Sequence, residues 1–349
     1  MDVVRRNSLS GGTARIVLGV WSPLVSVAAA LLVGAVFIRM MGISPWAAYR
    51  SLFQGTLGSL HGISETLLKT GPVLLTGLSF ALAFRSGLFN VGAEGQLYLG
   101  ALGSILVAVY IKGLPLLLHL PLAVAAGFAG GGLWGLLAGW LKVRFGANEI
   151  ITTVMLNYVA INLIGFLVNG PLQEPTKMFP ETAQAAVTAQ LPRILPGTRL
   201  HLGFLLALLA VVFYYAYLWR TQRGFELRVI GLNPRAGRYA GMDPQAGVLR
   251  AMFLAGGLAG LAGTGEALGV HFKLMGGISP GYGFDGLAVA LLGNGTPLGI
   301  VLAALLFGLL RTGGNMMQMF SRVPVALIYV IQALVILFAV AQANLKPRR

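Results

Sequence analysis

Cysteine is absent from the 349 residues, and acidic side chains number only 10 against 25 lysines and arginines. The first absence excludes disulfides and thiolate metal sites. Four histidines, His61, His119, His201 and His271, are scattered without metal-ligand spacing. Charge of either sign is scarce: 10% of residues are charged, against about 25% in a soluble domain. With 56% hydrophobic residues and a mean hydropathy of +0.80, the chain could not be solvated as a globule. No Gly-x-x-x-x-Gly-Lys-Ser/Thr segment occurs, so the chain cannot hydrolyse ATP by a P-loop of its own. Nor does it offer the nucleophile–base pair or metal cluster that a membrane enzyme needs. The net charge of +15 is no nucleic-acid footprint, because the basic residues sit at the ends of apolar runs, as the positive-inside rule expects.

What the chain has in abundance is apolar runs of helix-spanning length. These predict an all-α integral membrane protein, not a barrel whose strands alternate in short segments. After a basic start with Arg5, Arg6 and Arg15, the first run covers Val20 to Ile38. It lacks a small-x-small cleavage site before polar residues, so it reads as an uncleaved span with the N-terminus in the cytoplasm. Residues 42–65, with Pro45, Trp46, Tyr49 and Arg50, look interfacial. Further spans are expected at about Thr66–Phe84, Gln96–Ile111, a glycine-rich run introduced by Pro115 and Pro121, Ile150–Val168 and His201–Trp219. Residues 169–200 form a proline-punctuated external loop. Residues 220–250 carry Arg220, Arg223, Arg228, Arg235, Arg238 and Arg250 against Glu226 and Asp243, and are cytoplasmic by the same charge rule.

A seventh span is expected at Ala251–Val270. Beyond it the count is open. If Gly286–Leu292 crosses as a short or half helix there are about ten spans, and the basic tail of Lys346, Arg348 and Arg349 is inside. If it merges with Pro297–Leu310 there are nine. Ten is preferred, with Pro324–Ala341 last and Arg311 and Arg322 on the outer side. Residues 1–349 read as a single transmembrane domain.

Three constellations carry chemistry. Phe84 to Gly100 sets Asn90, Glu94 and Gln96 in a glycine-punctuated break where the flanks look like membrane. Such groups are costly in lipid unless they face protein, water or a ligand. The break reads as a broken helix lining a path, with Glu94 at the restart either capping it or facing the path, two compatible roles. Gly92-Ala93-Glu94-Gly95 is echoed by Gly283-Phe284-Asp285-Gly286, each opening the third span of a group of five. Five is odd, so the echo suggests two inverted five-helix repeats with broken helices at the midplane. In the second constellation, Asn148 to Tyr158, Thr153 and Asn157 share a face that turns into the bundle, to bond a neighbouring helix or a ligand. Glu266 is expected to pair with Lys273 or His271, and Asp285 to act as a cap or gate. In the third, Gly224 to Met242, Asn233 is an N-cap, Pro234 a first helical residue and Gly241 a terminator. A short capped helix on a basic loop outside the membrane is a docking element.

With these in view the chain resembles the permease subunit of a bacterial ABC importer. The family includes ribose, simple-sugar and branched-chain amino-acid permeases. Gly87 to Gln96 is similar to the nucleoside-type branch, which works with basic-membrane-protein lipoproteins, and so are Asn148–Tyr158, Gly231–Gly241 and Gly283–Gly293. The resemblance covers about residues 20–340. It implies a multi-pass protein of the bacterial plasma membrane that binds no cofactor itself, with ATP and Mg on a separate ABC ATPase subunit. It also implies a second permease subunit, identical or homologous, and an external substrate-binding lipoprotein. Gly231, Asn233, Pro234, Arg235, Arg238, Tyr239 and Gly241 would couple to the ATPase. The expected solute is a nucleoside, with simple sugars and riboflavin-like molecules as alternatives. Phe89, Asn90, Gln96 and Asn157 are the amide and aromatic partners that suit a base and ribose, beside Glu94, Thr153 and Asp285. An ion-driven secondary transporter is the rival. It needs paired titratable groups, whereas Glu94, Glu266 and Asp285 are well separated in sequence, and it gives residues 233–241 no purpose.

Overall fold

The computed structural model describes residues 10–345. Arg5, Arg6, Lys346, Arg348 and Arg349, which carry part of the charge argument for topology, lie outside the described residues. Thirteen α-helices follow in order: α1 Ser10–Met40, α2 Pro45–Leu57, α3 Leu60–Arg85, α4 Ala93–Tyr110, α5 Leu116–Phe145, α6 Glu149–Asn169, α7 Gly203–Arg220, α8 Gln222–Leu232, α9 Pro234–Tyr239, α10 Pro244–Gly265, α11 Tyr282–Leu292, α12 Pro297–Ser321 and α13 Val325–Leu345. A π-helical turn, Glu266–His271, prolongs α10. Helix makes up 76% of the chain, with no strand among the described residues. Among the described residues seven helices are long and apolar enough to cross a membrane: α3 to α7, α10 with its π-turn, and α12. Shorter apolar stretches in α1, α11 and α13 complete the ten expected runs.

Local chemistry explains where helices begin. Asp243 Oδ1 accepts from Gln245 N at 2.9 Å and Ala246 N at 3.2 Å, with Pro244 at the first helical position. This cap starts α10 ahead of the apolar run, which begins at Ala251. α12 likewise outruns its apolar stretch, continuing through Arg311 to Ser321. Arg311 is therefore inside a helix and not beyond its end: it is buried, with its guanidinium 5.8 Å over the Tyr329 ring. A face-on cation–π contact is one way to carry a guanidinium within such a helix.

The described residues cluster into two units, Leu60–Leu309 and the described parts of Met1–Ser59 with Leu310–Arg349. In the second unit, Tyr49 Oη donates to Leu31 O at 2.5 Å and the Ser51 and Ser321 hydroxyls bond at 2.6 Å. The first unit is built on glycine. α4, α5 and α10 pack backbone against backbone, and a Cβ at Gly100 would strike Gly260, one at Gly260 would strike Gly127 O, and one at Gly131 would strike Gly256 O. Helices without a hydrophobic driving force between them gain by such close approach.

Residues 170–200 are ordered over the end of α10. Leu191 N donates to Leu268 O at 2.9 Å and Ala185 N to Phe272 O at 2.8 Å, so the loop satisfies carbonyls around the π-turn. Arg199 grips the buried Glu65 carboxylate of α3 through Nε at 2.8 Å and Nη2 at 2.6 Å. That carboxylate raises the Arg199 pKa above its ordinary value. Lys273 pairs with Glu181, and Glu266 Oε2 lies 3.7 Å from His271 Nε2. Of the two partners expected for Glu266, the structure brings up His271. His201, just before α7, is buried, and its Nδ1 accepts from Gly203 N at 3.1 Å.

Gly260→Ala is expected to lower the melting temperature of the detergent-solubilised protein, because the added methyl meets backbone that cannot give way; overpacking costs about 1–3 kcal/mol. Gly165→Ala on α6 has open space and should leave stability unchanged or raise it. Equal effects of the two would contradict the packing. Burial pushes the His201 pKa down from 6.5 to about 4. The unfolded chain therefore takes up a proton below 6.5 that the fold refuses, so stability is full above that pH and falls towards 4. His201→Asn keeps an acceptor for Gly203 N and should flatten that decline in melting scans between pH 7 and 4.5.

Candidate functional site

α3 closes with a Schellman motif: Leu88 N donates to Ala83 O at 3.0 Å and Gly87 N to Phe84 O at 3.1 Å, with Gly87 at φ +77°. The chain then does not start its next helix at the same level. α3 meets the start of α11 at Thr76, whose Oγ1 donates to Tyr282 O at 2.8 Å. That contact lies about nine residues, or roughly 13 Å, before the end of α3. The start of α4 lies at that same level, since Glu94 bonds the first turn of α11. Residues 88–92 thus climb back into the bundle without helical hydrogen bonds.

Non-helical backbone at membrane depth requires substitute partners, and the polar residues of the first two constellations supply them. Val91 N donates to Thr153 Oγ1 at 3.2 Å, and Val91 O accepts from Asn157 Nδ2 at 3.0 Å. Gly92 N donates to Asn90 Oδ1 at 3.0 Å. Gly95 N, one of the open donors of the α4 N-terminus, finds Asn157 Oδ1 at 2.8 Å. Asn90 and Gln96 clasp each other: Asn90 Nδ2 donates to Gln96 Oε1 at 3.0 Å and Gln96 Nε2 to Asn90 Oδ1 at 3.1 Å. Asn90, Gln96, Thr153 and Asn157 are each 1% exposed. Every side-chain nitrogen and oxygen of these four has a partner within the protein.

Glu94 joins two helix starts. It lies in the first turn of α4, and its Oε2 accepts from Gly283 N in the first turn of α11 at 2.7 Å. A Cβ at Gly283 would collide with Glu94 backbone and one at Gly286 with Thr76. The two glycine-flanked acidic motifs therefore meet in space. Asp285 is half-buried one residue pair further along α11. Phe89 is half-buried in an aromatic cluster, 5.0 Å edge-on from Phe80 and 6.3 Å from Phe84. Among the described residues no group of three or more His, Asp or Glu could hold a metal ion.

The short helix α9 has the expected caps. Asn233 Oδ1 accepts from Arg235 N at 3.0 Å and Ala236 N at 3.1 Å. Met242 N donates to Gly237 O at 3.0 Å behind Gly241, at φ +79°. Pro234 opens α9, while Leu232 and Tyr239 are 89% and 95% exposed. What sequence reading missed is the contact beneath it. A Cβ at Gly87 would stand 2.9 Å from Gly231 Cα, and one at Gly231 would stand 2.5 Å from Arg85 O. The backbone before α9 lies directly on the turn that feeds the break. Two glycines more than a hundred residues apart carry no pairing signal in one sequence. Also unforeseen is the far side of α6, where Tyr158, Asn162 and Asn169 are exposed along an otherwise apolar helix.

Residues 62–340 match the model of the family described as branched-chain amino acid transport system / permease component. The chain is 39% identical to the guanosine ABC transporter permease protein NupP of Bacillus subtilis, over 90% of this chain and 91% of that one. It is 38% identical to the glucose ABC transporter permease protein TsgB13 of Haloferax volcanii, over 94% and 89%. It is 35% identical to the nucleoside ABC transporter permease protein NupB of Lactococcus lactis, over 90% and 89%. Each of these organisms also has a second matching permease, at 26–28% identity. No solved structure matches the chain. The chain belongs to this family of ABC transporter permeases.

Asn157→Ala strips partners from Gly95 N and Val91 O together, and each buried orphan costs about 1–3 kcal/mol. The isolated permease should lose several degrees of melting temperature. Asn162→Ala, which removes only a bond to its own helix, should change it little. A neutral Asn157→Ala would show that the break does not depend on that amide.

Proposed function

We propose that this permease subunit carries nucleosides inward across a bacterial plasma membrane, delivered by an external binding lipoprotein and driven by ATP hydrolysis on separate cytoplasmic ATPase subunits that bear the ATP and Mg. The observation that carries this reading is the backbone contact of Gly231 on Gly87. α9, with Leu232 and Tyr239 exposed beside it, is the surface for the ATPase. A displacement of α9 reaches Gly87 without an intervening side chain. From there it passes to residues 88–92 and, through Asn90, Gln96 and Glu94, to the starts of α4 and α11. Gly231, Asn233, Pro234, Arg235, Arg238, Tyr239 and Gly241 form this coupling element. Basic residues around α8 and α9 support a cytoplasmic location. The six membrane-crossing helices α1 and α3 to α7 before them then put the N-terminus on the same side.

The path runs along the break. Asn90, Gln96, Thr153 and Asn157 act as positioning residues for it, because their polar atoms are engaged within the protein. Glu94 holds the two helix starts together. Phe89 and Asp285, both half-buried, are the members of the set that we assign to the solute. A nucleoside is favoured because two of the three relatives are named for guanosine or nucleosides; the third is named for glucose, which shares only the sugar hydroxyls. The second permease chain packs on α6, whose exposed amides are costly against lipid. Paired matches of unequal identity in three organisms support a related chain over a second copy.

Reconstituted with its ATPase, partner permease and binding protein, the complex should take up labelled guanosine, with other nucleosides competing and glucose not. Competition by glucose alone would overturn the solute assignment. Gly231→Val, which wedges α8 from the α3 end, should abolish uptake while ATP hydrolysis continues. Tyr239→Ser should weaken ATPase attachment instead. Normal coupled uptake in Gly231→Val would refute the coupling route.

A further inference from the structure

Where α3, α8 and α11 end together, a cavity of about 370 Å³ opens on the membrane face that bears α8 and α9. Its walls include Phe80, Phe84, Arg85, Arg228, Leu232 and Asn294. Two guanidinium groups line it and no carboxylate does; Glu226, the nearest acidic residue in sequence to Arg228, pairs with Arg250 at 3.3 Å. Arg85 is partly committed, donating to Asn294 O at 3.1 Å and Gly295 O at 3.4 Å. Arg228 is held by stacking, 6.0 Å over Trp219 and 5.8 Å over Phe225, yet its Nε is buried without a hydrogen-bond partner. Arg85 lies 5.9 Å over the same Trp219 ring. The indole thus fixes both cations, and a cationic pair with an unsatisfied donor calls for an anionic acceptor.

We propose that this cavity binds the phosphate-bearing headgroup of an acidic phospholipid. The depth is right: Arg85 ends a membrane-spanning helix, the level at which headgroups sit. The wall is right too, because Phe84, in the last turn of that membrane-spanning helix, is half exposed beside the arginines, giving an acyl chain an apolar surface. The volume exceeds what a lone carboxylate or phosphate fills. A lipid seated there would bridge α3 to α8, beside the Gly87–Gly231 contact, and so touch both sides of the junction that the proposed coupling uses. The binding itself does not depend on that coupling or on the solute.

The purified full chain, delipidated and titrated in native mass spectrometry, tests it with three probes: phosphatidylglycerol, phosphatidylethanolamine and inorganic phosphate. The wild type should retain one phosphatidylglycerol in preference to phosphatidylethanolamine, and excess phosphate should not displace it. Arg228→Gln should weaken that retention about tenfold or more, the value of one charge-assisted hydrogen bond, and Arg228→Lys should restore part of it. The lipid-free melting temperature of each variant reports folding separately. Equal retention by Arg228→Gln would overturn the site, and displacement by inorganic phosphate would overturn the lipid in favour of a free-anion site. Loss of phosphatidylglycerol on adding the partner ATPase would overturn it in favour of an acidic side chain of that subunit.

Discussion

A single buried contact organises the membrane unit: the carboxylate of Glu94 on the first-turn amide of Gly283. A carboxyl group is costly to bring out of water unless its oxygens find donors, and the positive potential at helix starts favours it. Here two helix starts provide that potential, α4 from its own first turn and α11 from across the junction. Each contributes open amides and the positive end of its dipole, up to about 2 kcal/mol in a partly buried site. One carboxylate thus ties together two helix starts.

This constraint explains the cost paid around it. For α4 to begin at the level of Thr76, the chain must re-enter the bundle from Arg85 as bare backbone. Asn90, Gln96, Thr153 and Asn157 are the answer to that exposure. Asn90 and Gln96 hold the broken segment to the start of α4, and Thr153 and Asn157 tie it to α6, as Glu94 ties α4 to α11. Glycine does the complementary work. At Gly283 and Gly286 it lets α11 approach α4 and α3, and at Gly87 and Gly231 it lets the end of α8 rest on the turn below the break. Contacts of backbone on backbone transmit a shift without the slack of side-chain rotamers, which is why the coupling proposed above is routed through Gly87 and Gly231.

The same geometry separates two kinds of polar residue that sequence patterns merge. An amide in a membrane span is expensive, and expense marks it as important. It does not say whether it is spent on a ligand, a neighbouring helix or a broken backbone. Asn157 and Asn162 lie five residues apart on α6, one fully buried with both its amide atoms in use and one exposed on the opposite side.

Composition and hydropathy alone determined that this is a helical membrane protein of about ten runs, because the burial of apolar side chains in lipid needs long uninterrupted stretches whatever their arrangement. Local chemistry alone determined α9, since Asn233, Pro234 and Gly241 cap and end it with their own atoms, and it marked Glu94 and Asp285 as an echoed pair. The helices reach past the apolar runs at Pro244, where Asp243 caps the start, and at Arg311, which lies over the Tyr329 ring, so hydropathy marks the runs and not the helix ends. Tertiary structure decided the rest. That Glu94 bonds Gly283, that Asn157 mends the break and that Gly231 sits on Gly87 are meetings of residues 60 to 190 positions apart. A hydrogen bond or a backbone contact between such positions leaves no periodicity in the chain, and only the folded packing selects it.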